Sequence, residues 1–200
     1  MADLKSPTMS DYLKVLRAIQ ADPIYQAALS WGKPRGGHPE GALANHIAEL
    51  EDNLEHIRSF LTDTEEARLR VLIHVHDICK PHALTGVPSD HPQNHAFMAR
   101  EFLARYSQDA ELLAITQHHD DGFLLYTYGR YANGLRERLE RLLGRVKNPE
   151  LFLLFWFVDG CTAGKSSHPI TWFIDQISQF QELPERIPDV LHHLQSRDSV

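Results

Sequence analysis

Residues 43–61 read LANHIAELEDNLEHIRSFL, and the apolar side chains fall at Leu43, Ile47, Leu50, Leu54, Ile57 and Leu61. The intervals are 4, 3, 4, 3 and 4. A strand needs alternation at every second residue, whereas this rhythm returns each side chain to one face of an α-helix. Glu49, Glu51, Asp52 and Glu55 fall between the apolar positions, so the stretch predicts an amphipathic helix with one buried stripe. His46 stands beside Ile47 and three residues after Leu43, at the border of that stripe.

The same reasoning extends in both directions. Upstream, Tyr12, Leu13, Val15, Leu16 and Ile19 predict helix within 10–30, with Pro23 marking a break or a fresh start. Downstream, a helix begins near Thr64 and is almost wholly apolar from Val71 to Val75. A loop with Pro81, Gly86, Pro88 and Pro92 leads to a helix over about 93–106, and Asp109 caps another that ends near His119. The aromatic, glycine-containing stretch 120–133 reads as a long loop that lines or covers a site. Helices over about 134–146, 149–163, 169–180 and 187–196 complete the chain. No alternating β-branched run, hairpin signal or fixed-period repeat appears. The expectation is one all-α domain over 1–200. Its motif-bearing core covers about 38–165, and the first 30 residues and the last two helices pack around a central bundle.

Composition narrows the function. Hydrophobic residues make up 42% of the 200, which is ordinary for a globular domain and too rich for a disordered chain. Twenty basic against 27 acidic side chains leave a net charge of −7, which argues against unspecific nucleic-acid binding. Cys79 and Cys161 form neither a metal-finger spacing nor a disulfide framework, as suits a reducing cytoplasm. The opening MADLKSPTMSDYLK lacks a basic segment followed by an apolar core, so no secretory leader is expected. The longest apolar run, Leu151 to Val158, is far too short to span a membrane. The exceptional number is 13 histidines.

Five of them fall on the buried sides of helices: His46, His76, His95, His118 and His119. His76 and Asp77 close the apolar helix in VLIHVHDICKP, and Asp159 follows eight consecutive apolar residues in LFLLFWFVDGCTAGK. His95 shares a face with Ala99, Phe102 and Tyr106, and His119 with Leu112 and Ile115. One histidine on an apolar face is more often a hydrogen-bonded core residue than a ligand. Two independent carboxylates at the ends of buried helices are rarer, and costly unless a cation compensates them. A divalent cation answers both, since imidazole and carboxylate are its common ligands. His56, His74, His82, His168, His192 and His193 are read as surface or structural.

The order His46, His76-Asp77, Asp159 resembles the HD-domain superfamily of metal-dependent phosphohydrolases. VLIHVHDICKP resembles the family form in which HD is followed by two residues and Lys, with Cys79 where glycine is common. HPQNHAFMARE resembles the family segment in which a histidine opens a helix, matching His95, Ala99 and Glu101. ITQHHDD resembles the paired histidine of the two-metal branch, though no Gly-Tyr-Pro follows His119, which sets cyclic dinucleotide hydrolysis aside. GGHPEGALANHI is similar to the entry into the HD domain of bacterial tRNA nucleotidyltransferases, whose head domain this chain lacks.

That resemblance implies a first metal on His46, His76, Asp77 and Asp159. It implies a second on Asp77 as bridge with His95, His118 and His119. The ions would be one or two of Mn, Fe, Ni, Co, Zn or Mg, and they would generate hydroxide from water near neutral pH. Asp77 would orient that nucleophile, with Lys80 as the catalytic cation. Lys165, His91, His38 and Arg35 are candidate substrate contacts, and Phe123, Tyr126 and Tyr128 a candidate aromatic wall. The implied function is hydrolysis of a small phosphoester, such as a nucleotide, in the cytoplasm. No membrane partner is expected, and an RNA end is the one nucleic acid in view. The alternatives are a di-iron oxygenase of the same superfamily and a non-catalytic ligand-binding domain.

Overall fold

The computed structural model describes residues 7–130 and 133–196, which are helical with no strand among them. The second half of one helix and nearly the whole of another are apolar on nearly every side and form the centre. The first, α4 (Asp63–Val75), starts at a capping box in which Thr62 and Glu65 satisfy each other's backbone N–H groups. It buries Leu69, Val71, Leu72, Ile73, His74 and Val75 in its second half. The second, α9 (Pro149–Gly160), is capped by Asn148 and buries every residue from Leu151 to Val158. A helical stretch without a polar face must be surrounded, and these two pack on each other inside a sheath of amphipathic helices.

On the N-terminal side the sheath comprises α1 (Met9–Ala21), α2 (Pro23–Ala28) and α3 (Leu43–His56). The pair α5 (His95–Leu103) and α6 (Ala110–His118) follows, then a four-residue α7 (Asp121–Leu124), α8 (Leu135–Arg145), α10 (His168–Ile177) and α11 (Arg186–Ser196). α1, α3, α5 and α6 all lie against α4, while α3, α10 and α11 lie against α9. α1 and α3 thus lie against the central pair's first helix, and α10 and α11 lie against its second. No helix among the described residues is long and apolar enough to cross a membrane.

The stripe of residues 43–61 is buried along its length, but the helix that carries it is shorter. α3 stops at His56, and a 3-10 turn over Arg58–Phe60 carries the chain on to the buried Leu61. A larger correction concerns 120–133. This stretch is not a long loop: α7 runs into a π-helical turn over Leu125–Gly129. Its glycines suggested a loop, yet Gly122 sits where a Cβ would lie 3.0 Å from Trp156 Cζ2. That glycine permits close helix packing and does not reverse the chain. Residues 131 and 132, at the end of the expected loop, lie outside the described residues.

Buried polar groups outside the centre are satisfied between helices. Tyr25 Oη lies 2.6 Å from His74 Nδ1, and His74 Nε2 lies 3.2 Å from Glu51 Oε1, joining α2, α4 and α3. Tyr12 donates to Asp109 at 2.6 Å, and Arg186 grips Glu65 and Glu150 at the foot of α11. His74 is therefore a structural core histidine.

Candidate metal centre

Five helices bring their ends to one place. His46 lies in the first turn of α3; His76 caps α4 and Asp77 follows it; His95 opens α5; His119 and Asp120 follow α6; Asp159 is the penultimate residue of α9. The polar residues stand where buried apolar segments stop, so the helices that build the core also aim them inward.

Two groups of ligand atoms result, each with its members within 4.8 Å of one another. His46, His76 and Asp159 form the first, with His46 Nε2 3.0 Å from Asp159 Oδ1. Asp77, His95 and His119 form the second: Asp77 Oδ1 is 3.6 Å from His95 Nε2 and 3.5 Å from His119 Nε2. Asp120 adds a carboxylate oxygen 3.2 Å from His95 Nε2. The groups adjoin, because His76 and Asp77 are consecutive and the His76 and His119 rings stand 5.2 Å apart edge to face.

The outer ring nitrogens show what the inner ones are free to do. His76 Nδ1 donates to the Ile73 carbonyl at 3.1 Å, and His119 Nδ1 to the Thr116 carbonyl at 2.8 Å. His46 Nδ1 lies 3.3 Å from Glu40 Oε1. The Nδ1 bonds of His76 and His119 leave their Nε2 atoms aimed at the interior, the arrangement that supports a metal-ligating imidazole, while His46 Nδ1 stands near Glu40 without a hydrogen bond. His46 Nε2, His76 Nε2 and Asp77 Oδ1 are buried and make no hydrogen bond. Buried polar atoms are rarely left so. They converge without bonding to one another, and the separations of 3.0, 3.5 and 3.6 Å within the two groups lie near the roughly 3.0–3.4 Å between neighbouring N and O ligands held about 2.1 Å from one ion. The donor set suits a divalent cation.

Electrostatics agree. Burial alone would raise the Asp77 carboxyl, but Lys80, His76 and His119 hold it well below its ordinary range. Burial would raise Asp159 too, which is 15% exposed at its side chain, but Lys165 and His46 hold it down. Burial pushes His76 down to about 4, so it stays neutral. Burial would lower His119, but Asp120 and Asp77 push it up to about 9, so without a cation beside Asp77 its Nε2 also carries a proton, which a metal would have to displace. Asp77 and Asp159 are therefore ionised and compensated by whatever cations reach them.

Lys80 is ion-paired with Asp77, and Lys165 Nζ contacts Asp159 at both the carbonyl (2.8 Å) and Oδ1 (2.9 Å). His38 donates toward Glu40 at 2.8 Å, and Arg35 pairs with it backbone to backbone at the cleft rim. His91 is not among these groups; its Nδ1 accepts from the Gln93 backbone at 3.1 Å. His118 also lies outside them: it pairs with Asp121 at 2.8 Å and lines a separate depression with Gln117 and Lys147. Of the aromatic trio, Tyr128 lines the cleft, Tyr126 packs on Trp172, and Phe123 is exposed.

Two residues of the centre escape sequence reasoning. Asp120 lies beyond the end of α6, where helical phase no longer predicts direction. Glu40 precedes α3 in a turn, yet its side chain is only 4% exposed. Its signal is weak, a carboxylate six residues before a stripe histidine. His38, Glu40 and His46 form a third group within 4.8 Å, in which Glu40 faces the outer nitrogen of His46 at 3.3 Å without a hydrogen bond. Compared with known proteins, the chain matches no family model, no curated protein and no solved structure.

Proposed function

We propose that this protein is a metal-dependent phosphohydrolase of the HD type, acting on a nucleotide or related small phosphoester in the cytoplasm. The observation that carries this reading is the pair of adjoining ligand groups, His46–His76–Asp159 and Asp77–His95–His119, in which His46 Nε2, His76 Nε2 and Asp77 Oδ1 are buried without a hydrogen bond. Divalent cations held there supply Lewis acidity to a phosphoryl oxygen and acidity to a water. The chain's own residues do the rest. Asp77, between the groups, orients the attacking oxygen, and Lys80 and Lys165 bring positive charge to the rim where phosphate oxygens would lie. Phosphoryl transfer needs positioning and charge neutralisation more than covalent help, and this site offers both.

The test is metal analysis of the purified protein joined to a phosphatase screen over nucleoside phosphates and 2′,3′-cyclic nucleotides. Bound transition metal and phosphate release abolished by Asp77→Ala support the reading. Absence of metal after purification without chelator, or undiminished turnover in Asp77→Ala, overturns it. The same pairing of ligand groups also favours a di-iron oxygenase. Oxygen consumption by the iron-loaded protein would establish that reading, and the cationic rim argues for phosphate.

A further inference from the structure

A cleft of about 850 Å³ opens from the rim of the histidine–aspartate centre, where Lys80, His95 and Asp120 line it. Its far wall is α8, and three α8 arginines line it: Arg138, Arg141 and Arg145. Their spacing of three and four residues puts them on one face of the helix, in a row about 10 Å long at 1.5 Å per residue. All three are exposed, and none is ion-paired among the described residues. By contrast Arg136, on the opposite face of the same helix, pairs with Glu140 at 3.0 Å and lies over the Phe180 ring. With Arg35 and Lys80 the cleft carries five cations against two carboxylates, Asp120 and Asp121, in a protein of net charge −7. One of those carboxylates, Asp121, is engaged by His118.

The wall between the centre and the arginines is apolar. Trp31, Leu84, Leu124 and Tyr128 line it, and they are four of the seven large hydrophobic side chains exposed among the described residues. Exposed apolar side chains gathered in one concave place mark a binding surface, and aromatic rings suit a flat ring system. The volume is near the upper end of the roughly 300–1,000 Å³ typical of small-molecule sites, far more than a lone phosphate needs. Arginine is the side chain best matched to phosphate oxygens.

We infer that the ligand carries two phosphate groups with a nucleoside-like body between them. One phosphate sits at the histidine–aspartate centre, the other on Arg138, Arg141 and Arg145. The identity of the first phosphate as the reacting one rests on the phosphohydrolase reading; the arginine seat stands on its own geometry.

Calorimetric binding to the full chain as purified, with its metals in place, compares AMP, adenosine 3′,5′-bisphosphate and pyrophosphate, each as a hydrolysis-resistant thio- or imido-analogue so that no turnover intervenes. The bisphosphate should bind at least about tenfold tighter than AMP, the equivalent of one good ionic contact. That advantage should shrink to about twofold or less in Arg138→Gln/Arg141→Gln/Arg145→Gln and persist in Arg136→Gln. All four side chains are exposed, so a circular dichroism melt should show both variants folded. Equal binding of AMP and bisphosphate by the wild type overturns the inference, as does an advantage that survives the triple substitution. Pyrophosphate binding as tightly as the bisphosphate overturns the nucleoside-sized separation. A parallel manganese-loaded assay keeps the two readings apart. Phosphate release without arginine dependence sinks the seat alone, and arginine-dependent binding without any release sinks the hydrolase reading alone.

Discussion

Asn53 Nδ2 donates to the Val158 carbonyl at 2.8 Å and to the Cys161 carbonyl at 2.9 Å, tying α3 to the end of α9. Asn53 lies two helical turns beyond His46 on the same buried face, and Val158 immediately precedes Asp159. One side chain thus fixes the distance between two members of the first ligand group. Carbonyls at a helix end need acceptable donors when water is excluded, and this amide provides them.

Asn53→Ala should therefore leave two carbonyls short of a donor and cost about 2 kcal/mol. For a domain of this size that is a fall in Tm of about 4–8 °C, readable by circular dichroism. Metal affinity should drop as well, because Asp159 loses its anchor. An unchanged Tm would show that water replaces the amide at no cost.

The consecutive histidines of α6 divide sharply. His119→Ala should lower metal affinity by tenfold or more, since its Nε2 faces Asp77 Oδ1 at 3.5 Å. His118→Ala should leave metal content intact, because its partner is Asp121 at 2.8 Å, in a different depression. Elemental analysis of the two purified variants decides this. Equal metal loss in both would place His118 in the centre after all.

Much of this was legible in the sequence, for one reason: where the core is apolar, periodicity assigns direction. The interval of His46 from Leu43 and the apolar runs before Asp77 and Asp159 force those residues inward, and the structure brings them together. Direction becomes illegible where helices end. His118 and His119 are both buried, at 5% and 2% exposure, yet they leave the last turn of α6 toward different cavities. Asp120 and Glu40 sit in turns that no period governs. Gly122 misled for the opposite reason: a packing glycine and a loop glycine look alike until the Trp156 ring is seen beside one of them.

Acid should loosen the foot of α11 as the pH falls toward 2. Burial would raise the Glu65 carboxyl, but Arg186 and the Thr62 backbone N–H lower it from 4.5 to about 2. A carboxyl depressed in the folded state adds stability that is complete above its unfolded value and is lost as the pH falls toward 2. Glu65 is partly exposed, so solvent screening reduces that contribution to about 1 kcal/mol. Urea unfolding at pH 5 and pH 2.5 should show wild type losing more stability than Glu65→Gln over this interval. Parallel losses would mean that the pair with Arg186 contributes nothing.

Glu40 gives the most specific test of the centre, because it touches no ligand position yet stands behind one. Its Oε1 lies 2.8 Å from His38 Nδ1 and 3.3 Å from His46 Nδ1, and its Oε2 is buried without a hydrogen bond. A carboxylate on the outer nitrogen of a ligating imidazole fixes the tautomer and makes the inner nitrogen more basic, and its loss typically costs 10–100-fold in metal affinity. Glu40→Gln keeps the size of the side chain and removes the charge, so the fold should hold while metal affinity falls by about tenfold or more. Competition with a chelator of known strength measures that fall. His38→Ala removes the other partner of the same carboxylate and an edge-to-face ring contact on His46 at 5.6 Å, but leaves the carboxylate behind His46, so it should have a smaller effect. If the two variants bind metal equally well and as tightly as wild type, Glu40 does not orient His46.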